Sequence, residues 1–164
     1  MIAYLFIAVL LAGLGPDSNT AKDFVAPLNA PHATVKAGQP AKVELKFRVL
    51  DGFHVNSNVP HSSYLIPTQL TLSAPTGIIV GKITYPAGTD MVLPFAPDEK
   101  LNVYSGDFTI VAGLSAARAA APGQQKIQGE LSCQACNDRA CYPPKKLPVT
   151  IDVTVAKAKA SLPQ

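Results

Sequence analysis

The sequence predicts an all-β chain folded as a two-sheet β-sandwich, and three observations carry that expectation. Charged residues make up only 15% and hydrophobic residues 48% of the 164 positions, 15 prolines and 11 glycines are spread along the whole length, and apolar and polar residues alternate in several short stretches. Frequent turn formers joined to a period of two suit many short strands better than long helices. The length suffices for a single domain with a real core, and no shift of composition argues for a second.

The chain opens on IAYLFIAVLLAGL, an apolar run of 13 residues from Ile2 to Leu14, followed by Gly15-Pro16-Asp17-Ser18. A bilayer takes about 20 apolar residues to cross, so the run reads as the core of a signal peptide, with Gly13 and Gly15 small enough for the cleavage site. A signal peptide over 1–15, a sandwich over 23–156 and a tail over 157–164 are expected. Because no lysine or arginine precedes the apolar run, an uncleaved anchor is the alternative.

Strand evidence is clearest in AKVELKFRVL, where Val43, Leu45, Phe47 and Val49 alternate with Lys42, Glu44, Lys46 and Arg48. Ala33 to Lys36, ahead of Gly38-Gln39-Pro40, is expected to be its hairpin partner. Gln69 to Ser73, Ile78 to Tyr85, Val103 to Ala112, Lys126 to Gln134 and Pro148 to Ala156 complete a set of about seven strands. Their turn signals, among them Asp51-Gly52, Ala74-Pro75 and Pro122-Gly123, have the regular spacing of a sandwich. Two stretches do not fit strands. SAARAAA, from Ser115 to Ala121, is too short for a stable helix and is expected to be a single turn or loop. AGTDMVLPFAPDEK, over 87–100, is expected to be a long loop whose Met91, Val92, Leu93 and Phe95 need a surface to cover.

Composition also narrows the function. The net charge of +3 comes from scattered lysines with no basic stripe, which argues against nucleic acid as a partner. No nucleophile elbow, phosphate loop or pair of carboxylates supports a hydrolase or a nucleotide enzyme. His32, His54 and His61 are expected to be surface or hydrogen-bonded loop residues rather than acid-base groups or metal ligands.

All three cysteines lie within nine residues, Cys133-Gln-Ala-Cys136-Asn-Asp-Arg-Ala-Cys141. Such clustering points to chemistry or metal, and an odd count leaves a thiol over. Along the preceding strand Cys133 shares parity with Ile127, Gly129 and Leu131, and Cys136 with the polar Gln128, Glu130, Ser132 and Gln134. Cys133 is therefore expected in the core and Cys136 on the polar face. The four residues Asn137 to Ala140 make a turn that can bring Cys136 and Cys141 to disulfide distance. Closing so small a ring removes unfolded-state entropy worth only on the order of 2 kcal/mol, a weak reason for a structural staple. Redox exchange is favoured, with Arg139, Lys145 and Lys146 placed to stabilise a thiolate. A structural disulfide stays open as an alternative. Zinc fails on its own pattern, since the fourth ligand position falls at Lys146. A Cu(I) site from the thiolates with Met91 remains open.

At this point the residues resemble a family. CQACNDRACYPPKKLPV is similar to the signature of the N-terminal periplasmic domain of DsbD-type thiol:disulfide interchange proteins, and DGFHVNSNVP, YLIPTQLTL, ITYPAG and VYSGDFTI agree less sharply. The resemblance implies an immunoglobulin-like sandwich in the periplasm with protein-disulfide reductase-type activity. It implies that Cys136 and Cys141 are the redox pair, Cys141 forming the mixed disulfide, with no cofactor and no metal. It further implies a membrane-embedded DsbD-type or thioredoxin-like electron donor, and disulfide isomerases or cytochrome c maturation proteins as acceptors of a monomeric domain. Phe95 is the candidate cap residue over the pair, and Tyr142 a candidate shielding ring beside Cys141. Cys133 departs from the family, standing where an aromatic residue is usual.

Overall fold

The computed structural model describes residues 24–94 and 96–157. The expected signal peptide, Phe95 and the tail beyond Lys157 lie outside the described residues. Within them the chain is all-β, with twelve strands arranged as three four-stranded sheets.

Two sheets make the sandwich. The first contains β1 (Val25–Pro27), β3 (Ala41–Val49), β9 (Asp107–Ala116) and β6 (Ile78–Thr84) in that spatial order, all antiparallel. The second contains β2 (His32–Val35), β12 (Lys145–Val155), β10 (Gly123–Cys133) and β5 (Gln69–Ser73). Alternation along β3, β9 and β12 puts every second side chain inside. Phe47 and Ile110 from one sheet and Val35, Ile127, Leu131 and Ile151 from the other are fully buried in one continuous core. This is the expected immunoglobulin-like sandwich.

The third sheet was not foreseen. It holds β11 (Ala135–Cys136), β4 (His54–Asn56), β8 (Ala96–Tyr104) and β7 (Thr89–Leu93) in that order. Each of its inner strands continues a sandwich strand after a sharp break. Asp51-Gly52, with Gly52 at φ +79°, turns β3 into β4, and Phe53 N–H closes that turn on Leu50 C=O at 3.0 Å. Ser105-Gly106, with Gly106 at φ +61°, divides the expected strand over 103–112 into β8 and β9.

Two further expectations are corrected. β2 is not the hairpin partner of β3; it runs parallel to β12, Val35 opposite Val155, because the chain crosses between sheets at Lys36 to Gln39. The expected loop over 87–100 is the hairpin of β7 and β8, Met91 opposite Leu101, its apolar residues alternating once the strands pair. Ser115 and Ala116 finish β9, and a turn follows, Ala120 N–H bonding to Ala117 C=O at 3.0 Å.

Candidate functional site

β10 carries Cys133 into the core and ends there. After Gln134 the chain leaves the second sheet, and Ala135 and Cys136 pair instead with Val55 and His54 of β4. Parity is broken at this step, so both residues of β11 are buried and Cys136 is 0% exposed rather than on a polar face. The expectation for Cys133 holds; that for Cys136 fails because alternation persists only while a strand stays in one sheet.

The turn that follows is held by its own first residue. Asn137 Oδ1 accepts the backbone N–H groups of Arg139 at 2.9 Å and Ala140 at 3.0 Å, and Asn137 N–H donates to Ala140 C=O at 2.9 Å. Tyr142 N–H donates to Ala135 C=O at 2.8 Å, which closes the reverse turn. Cys136 and Cys141 stand opposite one another across it, joined by a disulfide with Cα atoms 4.0 Å apart. The two ends of the bond differ sharply: Cys136 is sealed and Cys141 is exposed.

What seals Cys136 is the β7-β8 hairpin. Leu93, Leu101 and Val103 pack with Cys136 in a small cluster separate from the main core, and Leu65 and Met91 close its sides. Polar contacts fasten this cover to the loop before β5. The His61 ring nitrogen Nε2 lies 2.9 Å from Asp90 Oδ1 and the Tyr64 hydroxyl donates to the Glu99 carboxylate, while within the hairpin Asn102 Nδ2 donates to Asp90 Oδ1 at 2.7 Å.

Tyr142 leans away from the cover. Its ring packs on Phe24 at 4.7 Å and Phe53 at 5.7 Å between centroids, and its hydroxyl accepts from Asn137 Nδ2 at 3.1 Å. The ring thus braces the turn. Of the cations expected near the pair, Arg139 sits in the turn between the two cysteines, whereas Lys146 bonds Glu130 at 2.7 Å and Lys145 lies opposite Cys133 with its Nζ 5.7 Å from the Phe24 ring centre. Burial pushes the Cys133 thiol up to about 11, with Lys145 opposing.

His54 is the residue that sequence reasoning misplaced. It is 3% exposed on β4, directly across the ladder from Cys136, so Cys141, Cys136 and His54 form one row. Burial lowers its basicity, against the field of Asp138. Among the described residues its Nε2 has no hydrogen-bond partner, and neither has Oδ1 of Asn56, two residues along β4 on the same face. The signal in the sequence was HVN, three residues that no period-two pattern separates into inner and outer; all three are buried because both faces of β4 are covered.

Among solved structures, the N-terminal domain of DsbD from Neisseria meningitidis in its reduced form is similar at 18% identity and a TM-score of 0.44, covering 68% of this chain and 77% of that one. The N-terminal periplasmic domain of ScsB from Proteus mirabilis is similar at 10% identity and a TM-score of 0.51, covering 77% of this chain and 43% of that one. Curated protein sequences contain no match. A family described as the N-terminal part of the thiol:disulfide interchange protein DsbD matches residues 21–152. With most of its length inside that match and a cysteine pair bonded across a tight turn, the chain belongs to the DsbD N-terminal domain family.

Proposed function

We propose that this protein exchanges its Cys136-Cys141 disulfide with the thiols of partner proteins in the periplasm, carrying electrons from a thioredoxin-like or DsbD-type membrane donor to exported disulfide or cytochrome-maturation proteins. The observation that carries the reading is the asymmetry of the bond, one cysteine exposed and the other buried beneath a hairpin. Exchange needs a sulfur that an incoming thiolate can approach in line and a second that leaves. Cys141 is the sulfur attacked and Cys136 the leaving group. In the reverse direction the Cys141 thiolate attacks a partner's disulfide, and Cys136 then resolves the mixed disulfide. Membership of a thiol:disulfide interchange family supports the chemistry, and the periplasmic setting of the ScsB domain supports the compartment. Phe95, which lies outside the described residues, is the proposed cap residue.

Trapping tests the reading. Cys136→Ser leaves Cys141 able to form an adduct that nothing can resolve, and is expected to accumulate covalent complexes with partner proteins on non-reducing gels. Cys141→Ser is expected to accumulate far fewer. Equal absence of adducts from both variants would sink the proposal.

A further inference from the structure

Resting on that reading, we propose that His54 is the base that takes the proton from Cys136 when this buried thiol resolves the mixed disulfide. A thiol with no access to water loses its proton to solvent only slowly, yet only the thiolate attacks a disulfide. Cys136 is 0% exposed and lies among Leu93, Leu101 and Val103, surroundings that disfavour an anion. Resolution at neutral pH is therefore quickened by a proton acceptor inside the protein. His54 stands in the adjacent strand opposite Cys136, and directly opposed residues of an antiparallel pair project to the same face with Cβ atoms about 5 Å apart. The neighbouring ring is buried and its Nε2 has no partner among the described residues. An orphaned polar atom in an interior costs stability, so it marks either a flaw or a task. Resolution supplies the task.

The step balances as follows. Cys141 Sγ is bonded to a partner's sulfur after attacking the partner's disulfide. The Cys136 S–H proton passes to His54 Nε2, the Cys136 sulfur lone pair attacks Cys141 Sγ, and the bond from Cys141 to the partner breaks. The electron pair leaves on the partner's sulfur as a thiolate. Two electrons have then moved from the Cys136/Cys141 dithiol to the partner's disulfide, and His54 holds the proton until it is lost. In the opposite direction the protonated ring returns that proton to Cys136 as it departs. A ring that burial keeps neutral near pH 7 is free to accept. Asp138, beyond β11, is the carboxylate whose field supports the charged ring once it forms, while Tyr104 on β8 pairs with Val55 and so projects to the opposite face. Asn56 Oδ1 offers a second unpartnered acceptor on the His54 face.

The probe is 5,5′-dithiobis(2-nitrobenzoate) reacting with the reduced full chain, in a Cys133→Ala background so that two thiols report. Attack by Cys141 releases the first coloured thiolate, and resolution by Cys136 releases the second. His54→Gln is expected to leave the first phase within about twofold and to slow the second by about 100-fold at neutral pH, the lower range of general-base contributions. The slow phase in the variant should climb tenfold per pH unit, whereas the parent's should stay level until the pH falls below the ordinary imidazole range. An unchanged second phase in His54→Gln overturns the role of His54 while leaving exchange intact. Absence of any first phase in the parent overturns the exchange reading itself. Should His54→Gln fail to fold, the parent's profile decides: a second phase rising tenfold per unit with no lower plateau overturns the proposal.

Discussion

His61 and Asp90 join two segments that the chain separates by 29 positions, the ring Nε2 lying 2.9 Å from the carboxylate Oδ1. The contact fastens the first strand of the cover to the loop before β5. The Asn102 hydrogen bond and then that of His61 hold the Asp90 carboxyl below its ordinary value of 3.8. A depressed carboxyl contributes attachment that is present above the ordinary value and is lost as the pH falls through the lowered one.

Asp90→Asn is therefore expected to loosen the hairpin without unfolding the domain, since exposed ion pairs contribute little to global stability. Alkylation of reduced Cys136 at neutral pH should quicken a few-fold while the melting temperature barely moves. In the parent protein, protection of the β7 and β8 amides, taken relative to the intrinsic exchange rate at each pH, should fall once the pH drops below the ordinary carboxyl value of 3.8, and this fall should be absent in the variant. Equal protection in both proteins above and below that value would detach this contact from the cover.

Leu101 is on the inner side of the hairpin at 2% exposure, packed in the same cluster as Cys136. Leu101→Ala removes three carbons from that packing, and a truncation of this kind costs about 2–5 kcal/mol. Urea denaturation should report a loss in this range, and Cys136 should become the faster-alkylating thiol relative to the parent. A loss of stability with Cys136 as protected as before would show that the cluster supports the fold and not the cover.

Cys133 is expected to be a spectator. Its thiol is buried at 5% exposure and its ionisation is pushed from 9.0 up to about 11. A thiol raised on folding stabilises the native state below the unfolded value, and that contribution is lost as the pH rises towards the folded one. The parent should lose about 1.4 kcal/mol per pH unit between those two values, and Cys133→Ala should lose less. Mass spectrometry after alkylation at pH 8 should find Cys133 unmodified in the folded protein. Modification as fast as that of Cys141 would contradict its place in the core.

The reduction potential separates exchange from a structural staple. A ring closed by four intervening residues constrains the unfolded chain little, so the bond has small entropic reason to resist reduction. Equilibration with a dithiol buffer should give a potential above roughly −300 mV, the region of labile rather than structural disulfides. A lower value would favour a fixed hairpin.

Much of the molecule was determined by the sequence alone. Alternation along 42–49 and 148–156, the turn signals at Asp51-Gly52 and Pro122-Gly123, and the crowding of three cysteines into nine residues dictated a β-sandwich with chemistry at one tight turn. The parity of Cys133 with Ile127 and Leu131 placed it in the core, because one strand in one sheet keeps its two faces. The tertiary structure decided what parity cannot carry across a change of sheet. Once β10 hands the chain to β11, Cys136 takes its burial from β4 and from a hairpin some 40 residues earlier, and His54 turns from a loop residue into its neighbour. Pattern along a chain reports which side chains share a face; which face is then covered depends on segments brought together only by folding.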